Sequence, residues 1–312
     1  MGDVRVGTSG WNYPSGKGTW NGVFYPEKRA RSKGFDELRF YAEHFDTVEI
    51  NSTFYRPPAP GTSRNWVART PPGFEFSVKL YQKFTHPEMF LKATGTDPHD
   101  LGQADVDEFT RGITPIAEAG KLGALLVQFP VSFRKDANAR EYLSRLLNTF
   151  REYPTAVELR HRTWSDTLDD TLALLAETGS AWVQIDEPKF RGSIRQTFRP
   201  NTPGIFYMRL HGRNAANWWS HDASEDRYDY LYSADELKPV AETVEKAERG
   251  TRKAYVYMNN HFSAKAVANA AVLLHQLGRD PQGDYPPEFV ERYPEVAGLV
   301  RVSSSRASRT SA

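Results

Sequence analysis

The sequence predicts a single (β/α)8 barrel of the TIM type, an α/β fold, and three observations carry that reading. Eight short runs rich in Val, Ile, Leu and aromatic residues alternate with segments of helical spacing. No break in composition interrupts the alternation, so residues 1–278 read as one domain. The 312 residues also exceed the roughly 250 that such a barrel uses, which leaves room for a tail. Parallel strands joined through helices cross over right-handed, and eight of them can close on themselves.

Residues 4–8 are the first expected strand, ending in G-T-S-G-W-N-Y-P-S-G-K-G. Gly10, Gly16 and Lys17 suggest a phosphate-binding loop. Five residues separate the glycines where that motif has four, however, and Gly18 stands where Ser or Thr would hold magnesium. The stretch is therefore read as a glycine-rich strand-to-helix loop, with Trp11 and Tyr13 as walls for a site. Leu38, Tyr41, Ala42 and Phe45 recur at helical spacing and mark a helix over residues 35–45. The second strand, 47–50, runs into E-I-N-S-T-F-Y-R-P-P, where Pro57 and Pro58 delay the next helix to 63–69. A third strand, 74–79, ends on Lys79 and is followed by a loop with Thr85, His86 and Pro87.

Residues 107–119 read as a helix in spite of Pro115, closed by Gly120 or Gly123. The fourth strand, 124–128, is nearly all apolar, as expected of a strand buried on both faces, and Gln128 is its first polar side chain. A helix over 139–150 leads to A-V-E-L-R-H-R-T-W at 156–164, where alternation puts Glu158 and Arg160 on one face. Leu168, Leu172 and Leu175 mark the next helix, stopped by Gly179. Strands follow at 181–185, ending at Asp186-Glu187, and at 205–210, ending R-L-H-G-R. A loop with Trp218, Trp219, Tyr228 and Tyr230 precedes a helix over 234–247. The eighth strand, 254–258, ends at Asn259-Asn260-His261, and the last helix covers 264–277. Residues 279–312 are a proline-rich extension and a polar tail, read as disordered.

Composition removes several function classes. Lys and Arg number 40 against 39 Asp and Glu, a net charge of +1, so no overall field steers the protein toward nucleic acid or a membrane surface. There is no cysteine, hence no disulfide and no thiolate metal site, which fits a reducing, cytoplasmic setting. No apolar run approaches the ~20 residues of a membrane span.

In a TIM barrel the active site lies at the C-terminal ends of the strands. Those ends hold Trp11, Glu49, Asn51, Lys79, Gln128, Glu158, Arg160, His161, Asp186, Arg209, His211, Asn259 and Asn260. A purely structural account pairs Arg160 with Asp186 and Arg209 with Glu158 as ion pairs closing the barrel. A metal site is a second alternative, from His161, His211, His261, Glu158 and Asp186, but Lys79, Arg160 and Arg209 would repel a dication. No residue is therefore assigned to a metal, and no cofactor motif is present.

In order along the chain, G-T-S-G-W, V-E-I-N-S-T-F-Y-R-P-P, V-K, T-H-P, Q-F-P, V-E-L-R-H-R-T-W, M-R-L-H-G-R and Y-V-Y-M-N-N-H resemble the YecE-like family, domain-of-unknown-function family seventy-two. The resemblance runs from about Val4 to Leu277 and implies a TIM-type barrel with no established reaction. It carries over Glu49, Asn51, Lys79, Gln128, Glu158, Arg160, His161, Arg209, His211 and Asn260. Leu159 and Met258 stand where the family pattern has Phe, and the loop around 94–103 and the chain after Gly278 read as additions.

The reaction must then come from residue types. Glu158 and Glu49, on different strands, can divide acid and base roles, with His161 and His211 as further catalytic candidates. Lys79 and Arg209 suit a clamp on an anion, with Trp11, Asn51, Gln128, Arg160, Asp186, Asn259 and Asn260 as further binding residues. The expected function is an enzyme, a hydrolase by preference, acting on a small anionic or sugar-containing molecule. The alternatives are a nucleotide or nucleic-acid binding protein and a metal-dependent, nuclease-like barrel.

Overall fold

A computed structural model describes residues 2–27, 33–96, 102–216, 218 and 226–304, in which eight parallel strands close into a barrel in sequence order. The strands are β1 (Asp3–Ser9), β2 (Thr47–Ile50), β3 (Glu75–Lys79), β4 (Leu122–Gln128), β5 (Thr155–Glu158), β6 (Ala181–Asp186), β7 (Ile205–Leu210) and β8 (Lys253–Met258). The α-helices around them are α1 (Glu37–Tyr41), α2 (Pro60–Ala68), α3 (Gln82–Thr85), α4 (Pro87–Thr94), α5 (Gln103–Glu118), α6 (Ala137–Thr149), α7 (Thr163–Asp166), α8 (Leu168–Glu177), α9 (Ala234–Gly250) and α10 (Lys265–Gln276). Closure runs through β1 and β8, in register from Asp3↔Lys253 to Thr8↔Met258. The expected TIM-type barrel is the observed fold.

Two local differences bear on the site. The helix expected over 35–45 is shorter, and it is capped by the Asp36 carboxylate, which accepts from the Arg39 amide. The stretch after Lys79, read as a loop, holds α3 and α4 instead. Pro87 sits in the first turn of α4, where a missing N–H costs nothing, and Gly95 in the left-handed conformation closes it. These helices bring His86, between them, back over the end of β3.

The barrel interior is not the Val, Ile and Leu filling usual for this fold. The inward positions of β7 and β8 are Tyr207, Tyr255 and Tyr257, all buried, with the Tyr255 and Tyr257 rings stacked 6.1 Å apart. A Cβ on Gly123 would lie 2.8 Å from the Tyr255 hydroxyl, so β4 offers a bare backbone where that ring crosses. A buried phenol needs a partner. Tyr257 donates to Ser77 Oγ at 2.9 Å, Tyr207 to Glu49 Oε2 at 2.7 Å, and Tyr255 to Glu75.

The extension expected to be disordered is folded over residues 279–304. It adds β9 (Asp284–Tyr285), α11 (Pro287–Arg292) and β10 (Arg301–Val302), with β9 and β10 pairing in parallel. Aromatic residues among its prolines cause the difference. Tyr285, Phe289, Tyr293 and Val296 are buried, with Phe289 5.8 Å from Phe24 and Tyr285 4.6 Å from His44, ring to ring. Such side chains are worth about 1.5–3 kcal/mol each on burial, enough to dock a short segment. Most of the polar tail, residues 305–312, lies outside the described residues, as does Trp219. Among the described residues no helix is long and apolar enough to cross a membrane.

Candidate active site at the barrel mouth

Strand alternation builds the site one level above the tyrosines. Glu49 lies two residues beyond Thr47 on β2, Arg209 two beyond Tyr207 on β7, and Glu158 ends β5, so all three point inward. Arg209 grips Glu49 bidentately, Nε to Oε2 at 2.9 Å and Nη2 to Oε1 at 2.7 Å, and its Nη1 donates to Glu158 Oε2 at 2.5 Å. Arg160 then holds the other Glu158 oxygen, Nε to Oε1 at 2.7 Å and Nη2 at 2.6 Å. The result is a chain of alternating charge, Glu49–Arg209–Glu158–Arg160, whose first three members are 0%, 2% and 0% exposed. Burial pushes the Glu158 carboxyl up, but Arg209 and Arg160 outweigh it and hold its pKa well below the usual range. Glu158 is a fixed anion.

Above this network a cavity of about 530 Å³ opens. Of the residues expected at the site, Trp11, Asn51, Lys79, Gln128, Arg160, Arg209 and Asn259 line it. A neighbouring cavity of about 430 Å³ shares Lys79, Gln128 and Arg160 and adds His86, Glu187 and Trp218, making one elongated cleft. Lys79 is half-buried at its centre, with Nζ 4.0 Å from the Phe54 ring and no ion pair to any carboxylate among the described residues. Burial, and then the Arg209 and Arg160 charges, pull its pKa down to about 7.

The histidines here are neutral. Burial lowers His211 to about 4; its Nδ1 meets the Asn259 amide at 2.7 Å and its Nε2 lies 3.3 Å from Arg160 Nη2. Burial and the Lys79 charge lower His86 to about 3. Gln128 Nε2 lies 3.3 Å from His86 Nε2, and Thr85 Oγ1 is 2.8 Å from its Nδ1. This arrangement suits a tautomer whose Nδ1–H donates to Thr85. Burial also brings His261 down to about 4; its ring stacks on Tyr13 at 4.3 Å, and its buried Nδ1 has no hydrogen-bond partner.

Three expected site residues turn away. Asp186 binds Arg213 through both oxygens, at 2.9 and 2.8 Å, and accepts from Tyr232 at 2.8 Å. The Arg160–Asp186 pair therefore does not form, whereas the Arg209–Glu158 pair does. Asn260 is buried and donates to Asn269 Oδ1 at 2.7 Å and Tyr230 O at 2.8 Å, fastening a loop to α10. His161, one residue past Arg160 and hence on the opposite face, lies 2.9 Å from Thr163 Oγ1 at the start of α7. With His161 and Asp186 elsewhere, the set considered for a metal does not gather, and no group of three or more potential His, Asp or Glu ligands forms among the described residues.

The sequence reading did not place Phe54, Tyr55, Trp66, Tyr228 and His86 in the site, and all of them line the cleft. Tyr55 and Trp66 come from the N-S-T-F-Y-R-P-P turn and from α2, where periodicity assigns an aromatic residue to packing. His86 carried a signal, a T-H-P just beyond a lysine-terminated strand, without a helix to direct it.

The family described as "Protein of unknown function DUF72" matches residues 5–291. The chain belongs to the DUF72 family. The resemblance drawn from the motifs is thereby borne out, and the DUF72 match passes Gly278, so β9 and most of α11 lie inside it rather than in an addition. The chain is similar to UPF0759 protein YunF of Bacillus subtilis strain 168, 28% identical over 293 residues covering 92% of this chain and 99% of that protein. UPF0759 protein YecE of Escherichia coli K12 is 30% identical over 130 residues, 41% of this chain and 43% of that one. Among solved structures, a DUF72 protein of Thermotoga maritima MSB8 is 36% identical with a TM-score of 0.74, covering 89% of this chain and 100% of its own. A second, from Enterococcus faecalis V583, is 25% identical with a TM-score of 0.75, covering 88% and 95%.

Proposed function

We propose that the barrel mouth is the active site of an enzyme acting on a small anionic or sugar-derived molecule, with Lys79 as its reactive group. The observation that carries this reading is a lysine without a counter-ion among the described residues, at the centre of an aromatic and amide-lined cavity. A group whose pKa lies near the working pH can both take and give a proton, and such groups gather at functional sites. The hydrolysis expected from paired carboxylates fits this geometry poorly. It needs one carboxyl protonated, and Glu158 is kept ionised while Glu49 is bidentate to Arg209. The carboxylates instead hold the two arginines in place. Arg160, 18% exposed at its side chain, faces the cavity as the anion contact, whereas every nitrogen of Arg209 is engaged below.

Thermal unfolding against sugar phosphates, small carboxylates and nucleotides tests the reading. A ligand at ~100 times its dissociation constant adds about 2.7 kcal/mol of stability. The stabilisation is expected in the wild type and lost in Lys79→Met; a response unchanged in Lys79→Met removes Lys79 from the site. A nucleotide or nucleic-acid strand is the second reading, supported by the rings of Trp11, Trp66, Tyr228 and Tyr55, the last 68% exposed over the cleft. Phosphate-dominated binding falls steeply with salt, so a flat salt dependence rejects it.

A further inference from the structure

We propose that Lys79 is a nucleophile that forms an imine with a small carbonyl compound bearing a carboxylate or phosphate, its anionic group held against Arg160. The proposal rests on the reading of the mouth as an enzyme site and names the substrate class and the covalent step.

The first support is what Lys79 lacks. Arg209, Arg160, Arg5 and Lys253 all meet carboxylates at the two ends of the barrel, and among the described residues Lys79 does not. A lysine kept for charge balance would be paired, and a paired ammonium has no lone pair to offer. Burial acts on Nζ first; the guanidiniums of Arg209, on β7, and Arg160, just past β5, add to it, against the Glu158 and Glu49 carboxylates, which are bound to those arginines, and His86 is neutral beside it. Burial, more than the nearby charges, disfavours the ammonium at this place, and the free amine is present near neutral pH.

The second support is what surrounds it. Asn51 and Asn259 line the same cavity and supply neutral amides, able to hold a carbonyl oxygen without protonating the amine, whereas both N–H groups of Gln128 are taken by His86 and the Phe129 carbonyl. Arg160 keeps Nη1 free of close pairing, 3.9 Å from Glu187, while its other nitrogens hold Glu158. That nitrogen can accept an anionic group.

The step balances without an oxidant. The Nζ lone pair attacks the carbonyl carbon, the C=O π pair moves to oxygen, and that oxygen takes a proton as nitrogen loses one, giving a carbinolamine. The nitrogen pair then forms C=N as the hydroxyl takes the remaining nitrogen proton and leaves as water. The anionic substituent stays on its arginine throughout.

The test uses the full-length protein with glyoxylate, the smallest compound carrying both a carbonyl and a carboxylate, and sodium borohydride to reduce any imine. Glycolaldehyde phosphate serves as the phosphate arm. Peptide mass mapping is expected to find Lys79 heavier by the probe less one oxygen, labelled faster than any other lysine, with a rate rising through about pH 7. Preference for one probe identifies the anionic group. Lys79→Met and Lys79→Arg, each first checked to melt no lower than the wild type, are expected to lose this label. Labelling spread over surface lysines with Lys79 no faster overturns the proposal. Glycolate and inorganic phosphate, which lack a carbonyl, separate the two levels of the argument. If they stabilise the wild type and Lys79 is not trapped, the imine is wrong and the enzyme site stands. If they do not bind and nothing is trapped, both fall.

Discussion

The two ends of this barrel carry similar residues to different ends. At the floor, Glu75 receives Lys253 and the Tyr255 hydroxyl, with Arg5 3.5 Å away; Arg5 also meets Asp3 at 2.8 Å and Asp46 at 3.4 Å. Arg5 and Lys253 there are answered by carboxylates, and Lys121, just before β4, by the Val67 and Thr70 carbonyls and the Thr70 hydroxyl. At the mouth, Glu49, Arg209, Glu158 and Arg160 answer one another in the same way, and Lys79 has neither a carboxylate nor a hydrogen-bonding partner among the described residues. The comparison teaches that burying charge in a barrel is compatible with structure alone, and that the departure from pairing marks the site. A cavity adjoins the unpaired lysine, as expected if a ligand supplies the missing partner.

The largest expected effect tests whether the mouth network is structural. Arg209→Met leaves Glu49 and Glu158 buried without their shared counter-ion, and breaking such a set costs about 3–5 kcal/mol. Urea unfolding should show that loss, and a change below ~1 kcal/mol would mean that water reaches both carboxylates. Glu75→Gln at the floor should cost less, about 1–3 kcal/mol, because Arg5 keeps two other carboxylates. If the two losses reverse in order, the two ends are not organised as described. Lys79→Met should be the outlier, neutral or stabilising within ~1 kcal/mol, since it removes a half-buried charge that no carboxylate among the described residues meets while abolishing ligand response.

The smallest effect is a slope. Lys79 has a folded pKa of about 7, below the ordinary lysine value of about 10.4. Between these values the unfolded chain binds more protons, so stability gains with rising pH across that window. The gain should be weaker in Lys79→Met, measured as unfolding midpoints at several pH values; equal slopes would mean that Lys79 stays charged. Glu158 gives the opposite edge. Its pKa is lowered, so its contribution is present above the unfolded carboxyl value and is lost as pH falls toward the folded one.

Periodicity alone was enough to determine the barrel, its eight strands and the level at which the chemistry lies, because alternation and strand ends are local properties of a chain. Parity placed Glu158 with Arg160, and both now bind as neighbours. The same logic overreached at His161, Asp186 and Asn260, which end their strands and are taken up by Thr163, Arg213 and Asn269. It also read residues 279–304 by their prolines and missed that Tyr285, Phe289 and Tyr293 would find Phe24 and His44. Only the tertiary structure decided which carboxylate meets which cation, since Glu49 and Arg209 are separated by 160 positions and meet only when the barrel closes. It therefore also decided which cation stays unpaired. That choice of Lys79 is a property of closure: every candidate charge was visible along the chain, and their pairing was not.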